Sequence, residues 1–435
     1  MKMPLKSRLT ICIIFAIIAL LLPRAFTKVS ETKATAIVTA LGIDAVDDEI
    51  EISAQIIIPK SQAGTTENLM AISSKNTDVA KALEDLSAYI GKNVGIEHCN
   101  SLILGESISK QGVNDVLDFF FRGNKIGHNT LLIYFDGKAK DLIEATAPID
   151  NSFSLSIDQL TRFSGEYFSA LEITLEKFYT QTYSNNNIST IGGLKFEEAN
   201  YGLSVKSQNS SSGGGSGTQS SNSTSGQSSS QSGTQSSSKS SESSKGSQSS
   251  QESKPKFLVN NSESAIFKDG KMVKLLNKEE TIALNWFLPE SKKTTLRIDN
   301  INDYLYQGAS AIFTISNKMV KTSTDFIGNK PILNVDIYID LKIENIIGGN
   351  RDNFKDINKD MFTPMLKSRI IGEIQNQTNS IFNIVKNEKL DLIRAYDTFE
   401  KFNYHTLKDY LNEFTINDFY ENLIPNIKIH LTEKI

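Results

Sequence analysis

The stretch Leu333-Asn334-Val335-Asp336-Ile337-Tyr338-Ile339-Asp340-Leu341-Lys342-Ile343-Glu344 alternates an aliphatic residue with a polar or amphipathic one without a break. Successive strand side chains point to opposite faces, so this period of two predicts a strand with one dry face and one wet face. A dry face needs a cover. Downstream, Thr363-Pro364 supplies an N-cap and a first helical residue whose missing N–H costs nothing. Leu366, Ile370, Ile374, Ile381 and Val385 then run down one face of a helix reaching about Lys389. A closing strand, Asn426 to Thr432, alternates Ile427, Ile429 and Leu431. Antiparallel strands with a long helix on one face predict an α+β arrangement.

Upstream of that strand, Ser264 to Phe267 and Lys271 to Leu276 flank Asp269-Gly270, a strong short-range hairpin signal. Asn277 follows as an N-cap with Glu280 at the third helical position, a capping-box variant. Ile282, Ala283, Trp286 and Phe287 share a face before Pro289 stops the helix. Trp286 is therefore read as core, not as a ligand platform.

At the other end, Ala36-Ile37-Val38-Thr39-Ala40-Leu41-Gly42-Ile43-Asp44 leads through Asp47-Asp48 into alternating Ile50, Ile52, Ala54, Ile56 and Ile58, a β-hairpin. Thr77 is positioned to cap a helix carrying Val79, Leu83, Leu86 and Ile90, which Gly91 ends. Ser101 to Gly105 reads as a strand, Val113 to Phe121 as a helix and Thr130 to Phe135 as a strand, which suggests a crossover unit. Asp141 to Tyr201 mixes helical and irregular signals.

Two segments stand apart. Ser207 to Glu252 contains no aliphatic or aromatic residue, so nothing there can offset the entropy lost on folding, and a disordered linker is expected. Before the first strand, Lys2, Lys6 and Arg8 precede an apolar run from Leu9 to Leu22, closed by Pro23-Arg24. As a helix the run rises about 21 Å against a hydrocarbon core of roughly 30 Å, so by length a secretory signal and a permanent anchor are both compatible. No clear small-x-small cleavage site follows it, which favours an uncleaved signal anchor with the rest of the chain outside the cytoplasm. A lipobox would need a cysteine just past the run, and Cys12 lies far too early.

The expected organisation is a membrane-anchored α+β chain with about three successive mixed α/β domains of antiparallel or mixed sheets flanked by helices. The anchor occupies residues 1–30, an N-terminal α/β domain 31–206, the linker 207–255, a middle α/β domain 256–325 and a C-terminal α+β domain 326–435.

Among 435 residues the formal charge is −4 and the basic residues are scattered, which gives no support to nucleic-acid binding. Cys12 and Cys99 lie in dissimilar apolar runs, and no disulfide is expected. His98, His128, His405 and His430 are dispersed without metal-ligand spacing. Nucleotide and serine-hydrolase motifs are missing, as no P-loop, G-x-G-x-x-G or G-x-S-x-G occurs in a strand-to-helix context. Glu97-His98-Cys99 could suggest thiol chemistry, yet Cys99 at a strand entrance reads as a small core residue. Asp47, Asp48, Glu49 and Glu51 could suggest a weak cation site, but their place at a hairpin reads as a solvated turn. These readings name no catalytic, cofactor-binding or metal residue, and no cofactor.

Three separated stretches, in this order and spacing, resemble the Ger(x)C or GerAC family, the C subunits of bacterial spore germinant receptors. The first is Thr39 to Asp44 with the acidic turn and the Ile-rich strand ending at Pro59. The second runs from His98 through Gly105-Glu106, Gly112, Val116 to Phe120 and Arg122 to Leu132–Phe135 and Asp136-Gly137-Lys138-Ala139-Lys140-Asp141-Leu142. The third runs from Ala265 through Asp269-Gly270-Lys271 and Glu279-Glu280 to Trp286. The long strand, the Pro364 helix, Asp391 and the last strand add to the likeness. The resemblance implies three α/β domains on the outer face of the spore inner membrane, beside an A-type subunit and a multi-spanning B-type subunit that recognises nutrients. No small-molecule ligand is then expected on this chain, and no catalytic residue is carried over. Family members usually have a lipobox cysteine that is absent here, and the Ser-rich linker reads as an insertion. The alternative reading is an anchored envelope protein that itself binds a small ligand or polymer.

Overall fold

A computed structural model describes residues 35–58, 68–123, 125–145, 162, 171–198, 257–289, 293–349 and 361–434. The apolar N-terminal run, Cys12 and the Ser-rich stretch lie outside them, and so do the anchor and linker expectations. Nine described strands form one sheet and four another, with ten described helices packed on them.

In the larger sheet β1 (Thr35–Val46) pairs antiparallel with β2 (Glu49–Ile58), and β2 with β3 (Asn68–Asn76). The turn between β1 and β2 is the two residues Asp47-Asp48, both at positive φ, the conformation that matches the twist of a hairpin and that Asp tolerates. Helix α1 (Val79–Ile90) follows, with Asp78 as its cap in place of the expected Thr77. The Asp78 carboxylate accepts from Lys81 N at 2.9 Å, while the Thr77 backbone is held by Asn76. Gly91 ends the helix in the left-handed conformation.

After β4 (Asn93–Gly95), the expected crossover is present: β5 (Ser101–Gly105) and β6 (Leu131–Phe135) run parallel to β1 and to each other, joined through α2 (Glu106–Gln111) and α3 (Asn114–Arg122). Every residue of β5 and β6 is buried, because both sheet faces are covered. Leu102, Leu104, Leu132 and Tyr134 join the core under α1 to α3, while Ile103, Ile133 and Phe135 meet Ala139, Leu142 and Ile143 of α4 (Ala139–Glu144) on the other face. The unassigned stretch from Asp141 on supplies α4, α5 (Leu175–Thr182) and β7 (Ile188–Glu198), which pairs parallel to β6.

The sheet then continues past the Ser-rich stretch into β8 (Phe257–Lys268) and β9 (Lys271–Leu276), an antiparallel hairpin turning on Asp269-Gly270. The expected middle segment is thus divided. Its first hairpin extends the larger sheet, and α6 (Lys278–Asn285), with the predicted Asn277 and Glu280 capping box, bridges to the smaller one.

The smaller sheet has the order β10 (Thr294–Ile301), β11 (Ala309–Ile327), β12 (Lys330–Ile347) and β13 (Ile424–Lys434). Leu333, Val335, Ile337, Ile339, Leu341 and Ile343 of β12 are buried, and α7 (Pro364–Glu388) brings Leu366, Ile370, Ile374, Ile381 and Val385 to the same core. Thr363 caps α7, accepting from Leu366 N at 3.2 Å, and Pro364 takes the first position as predicted.

The closing strand corrects the antiparallel expectation. β13 lies parallel to β12 over its whole length. Lys367 near the start of α7 pairs with Glu433 at the end of β13, and Lys389 at its other end pairs with Glu421 just before β13. The helix therefore runs back along the sheet, and α8 (Ala395–Phe402), α9 (Tyr404–Glu413) and α10 (Ile416–Asn422) deliver the chain to the end from which β12 set out. One return pass makes the next strand parallel. The described residues up to Glu197 and from Val259 on form one compact unit.

Candidate functional site

Where polar side chains converge inside this unit, they close helix ends. Helix α4 starts at Ala139 with no capping side chain of its own, since Lys138 precedes it. Asp44, from the middle of a buried strand, supplies one: its two oxygens accept from Ala139 N at 2.9 Å and Lys140 N at 3.0 Å. Close approach is possible because two glycines flank it. A Cβ on Gly105 would lie 1.9 Å from Asp44 Oδ1, and one on Gly42 would lie 3.0 Å from the Ala139 methyl. Burial raises the Asp44 carboxyl above its ordinary value, the two backbone bonds pull it back, and Glu51 and Asp141 push it up further.

Glu51 corrects the reading of the acidic group as one solvated turn. Asp47, Asp48 and Glu49 are exposed, but the Glu51 side chain points inward and holds Lys140 Nζ at 3.0 Å. Glu49 and Glu51 lie on one face of β2, and position separates them: Glu49 adjoins the turn, whereas Glu51 stands in register with Asp44 and within reach of Lys140 of α4.

A second convergence seats the Asp269-Gly270 turn on α3. Gly270 O accepts from Val113 N at 2.9 Å, Asp269 O from Asn114 Nδ2 at 3.2 Å, and Asn187 O from Asp269 N at 3.0 Å. Gly270 is at φ +76° and a Cβ there would lie 2.0 Å from Asn114 Oδ1, so only glycine fits. A third joins α6 to the smaller sheet. Lys318 of β11 is buried with its Nζ against the carbonyls of Asn285, Trp286 and Leu288 at the C-terminal end of α6, and Trp286 Nε1 donates to Gln377 Oε1 of α7 at 2.7 Å. Trp286 is core, as read from the sequence.

The fourth centres on Asp391, buried in the turn between α7 and α8. It accepts from Ala395 N at 2.7 Å and Tyr396 N at 2.8 Å, again the first amides of a helix without its own cap, and is reached by Asn186 Nδ2 and the Tyr420 hydroxyl.

The residues weighed for chemistry are dispersed. Cys99 is buried and unpaired to another cysteine, burial pushing its thiol up to about 12, far from a thiolate at neutral pH. His98 beside it is exposed in the turn before β5. His128 stacks on Phe121, His405 meets Tyr404 edge-on, and His430 lies 2.8 Å from Asp336 while stacking on Tyr338. Among the described residues no three His, Cys, Asp or Glu side chains gather as metal ligands would, and no helix is long and apolar enough to cross a membrane.

Sequence reasoning did not foresee the roles of Asp44, Lys318 or Asp391. The available signal was a charged residue inside an otherwise apolar or capless stretch, which announces a partner without naming it.

The geometry belongs to an α+β protein whose buried polar side chains join segments far apart in the chain. Comparison with known proteins agrees. Residues 29–193 match the family model described as the spore germination protein N-terminal domain, and residues 262–435 match the one described as spore germination B3/GerAC like, C-terminal. The crystal structure of the GerBC protein is similar at a TM-score of 0.50 with 14% sequence identity, covering 90% of this chain and 96% of that one. No curated protein matches the chain. The chain belongs to the Ger(x)C family, the C subunits of spore germinant receptors.

Proposed function

We propose that this chain is a non-enzymatic subunit of a spore nutrient-germinant receptor, acting through protein contacts with A-type and B-type membrane subunits on the outer face of the membrane. The observation that carries the reading is the pair of family matches, which cover residues 29–193 and 262–435 and leave out the N-terminal apolar run and the segment around the Ser-rich stretch. Its buried polar groups support it, since Asp44, Lys318 and Asp391 are engaged at helix ends and hold segments together. The apolar run from Leu9 to Leu22 attaches the chain to the membrane without acylation, for want of a lipobox cysteine.

Deletion tests the reading. Spores lacking the chain are expected to form normally and to respond poorly to a subset of nutrients, while triggers that bypass nutrient receptors still act. Co-purification of A- and B-type subunits with the tagged chain is the second expected result. An unchanged nutrient response combined with tight binding of a small ligand or envelope polymer by the isolated chain would overturn it.

A further inference from the structure

Asp391 is 1% exposed, and three separate parts of the chain meet at its carboxyl. Oδ1 accepts from Ala395 N of α8. Oδ2 accepts from Tyr396 N, from the Tyr420 hydroxyl of α10 at 3.4 Å and from Asn186 Nδ2 at 3.5 Å. Asn186 stands in the turn that leads from α5 into β7 of the larger sheet, and its neighbour Asn185 bonds Glu400 of α8. This is a joint between the turn of one sheet and the helical cover of the other.

Every donor at the carboxyl is neutral. The charged groups nearby are committed elsewhere or repel it. Asp397 of α8 is a like charge and pairs with Arg394 at 2.7 Å, and Lys389 at the end of α7 pairs with Glu421 of α10 at 2.8 Å. Tyr396 and Tyr420 are pushed up by burial and stay protonated. At Asp391 the cost of burying the charge without a cation outweighs what the two amides and Asn186 return to the ionised form.

We propose that the joint is a proton-operated latch, held closed while Asp391 is protonated and loosened when it ionises. The protonated acid keeps oxygens for the two backbone amides and offers a donor toward the Tyr420 oxygen. Burial raises the carboxyl from 3.8 to about 6, with the Tyr396 and Ala395 amides opposing. The direction follows from linkage. An opened joint returns the group to water and to its ordinary value, so the closed form binds the proton more tightly. Its added stability is therefore complete below the ordinary value and is lost as pH rises toward about 6. Above that it changes no further. The full change is roughly a hundredfold in the closing equilibrium. The latch is a property of the chain itself and does not depend on the receptor reading.

Amide hydrogen exchange on the full-length chain, corrected for intrinsic rates, tests it between about pH 4 and 7.5. Protection at Ala395, at Tyr396 and at Ile188, whose N–H donates to Asn186 Oδ1, is expected to fall about a hundredfold as pH rises and to level off above about 6. In Asp391→Asn, which cannot ionise, that slope is expected to vanish. Asn186→Ala removes a bond that favours the charged form and should move the levelling point to higher pH. Flat protection in the unaltered chain overturns the latch, and so does a slope that persists in Asp391→Asn. Should Asp391→Asn fail to fold, an unmoved levelling point in Asn186→Ala overturns it independently.

Discussion

Helices α4 and α8 begin in the same way and end up in different electrostatic company. Each lacks a capping side chain of its own, and each has its first two amides bound by a buried aspartate from outside the helix. Asp44 is fixed in the middle of a strand, between two glycines, beside the Glu51–Lys140 ion pair. Asp391 sits in a turn with only neutral donors, and no cation among the described residues pairs with it. Burial raises both carboxyls, but Asp44 is held within one sheet while Asp391, raised to about 6, ties a turn of the larger sheet to the helical cover of the smaller one. Identical cap geometry therefore does not imply identical energetics; the surrounding charge and backbone decide.

The largest expected effect isolates what the donors contribute. Ile339→Asp places the same carboxyl in the buried row of β12 with no helix amides to receive it. It is expected to cost about 4 kcal/mol or more and to unfold the smaller sheet, read by urea denaturation. If the variant keeps native stability, the native caps are not what makes Asp44 and Asp391 tolerable.

Next comes Gly105→Ala, whose methyl would meet Asp44 Oδ1 at 1.9 Å and Ala139 N at 3.0 Å, within a strand buried on both faces. About 3 kcal/mol of destabilisation is expected, seen as a drop in Tm. Asp44→Ala leaves the space and removes only the cap, so about 2 kcal/mol is expected in the same assay. A larger loss in Asp44→Ala than in Gly105→Ala would mean that the hydrogen bonds, not the close packing, dominate at Asp44. The smallest effect has the opposite sign. Gly372 lies within α7 with nothing within 4 Å of an added Cβ, and Gly372→Ala is expected to stabilise by about 0.5–1 kcal/mol.

Much of the framework is legible in the residues themselves. The alternation from Leu333 to Ile343, the Thr363-Pro364 start, the Asn277 capping box and the two-residue turns at Asp47-Asp48 and Asp269-Gly270 all appear where the residues place them. The cap of α1 was off by one residue, because Thr77 and Asp78 are both capable and only the backbone shows which carboxylate reaches Lys81 N. The candidate site was legible in a different sense. Gly42-Ile43-Asp44 and Gly137 to Asp141 were visible as two stretches of family likeness, yet nothing in either stretch says that one caps the other.

Elements whose chemistry is local follow from the residues alone: strands with a two-residue period, helices whose caps lie three residues from their donors, and turns that need positive φ. Tertiary structure alone decided the direction of β13, the joining of β8 and β9 to a sheet begun before the Ser-rich stretch, and the fates of Glu51, Asp44, Lys318 and Asp391. The physical reason is separation. A buried polar group must find a partner, but Asp44 finds its own 95 residues away and Asp391 reaches Asn186 across 205, distances over which neither period nor spacing carries information.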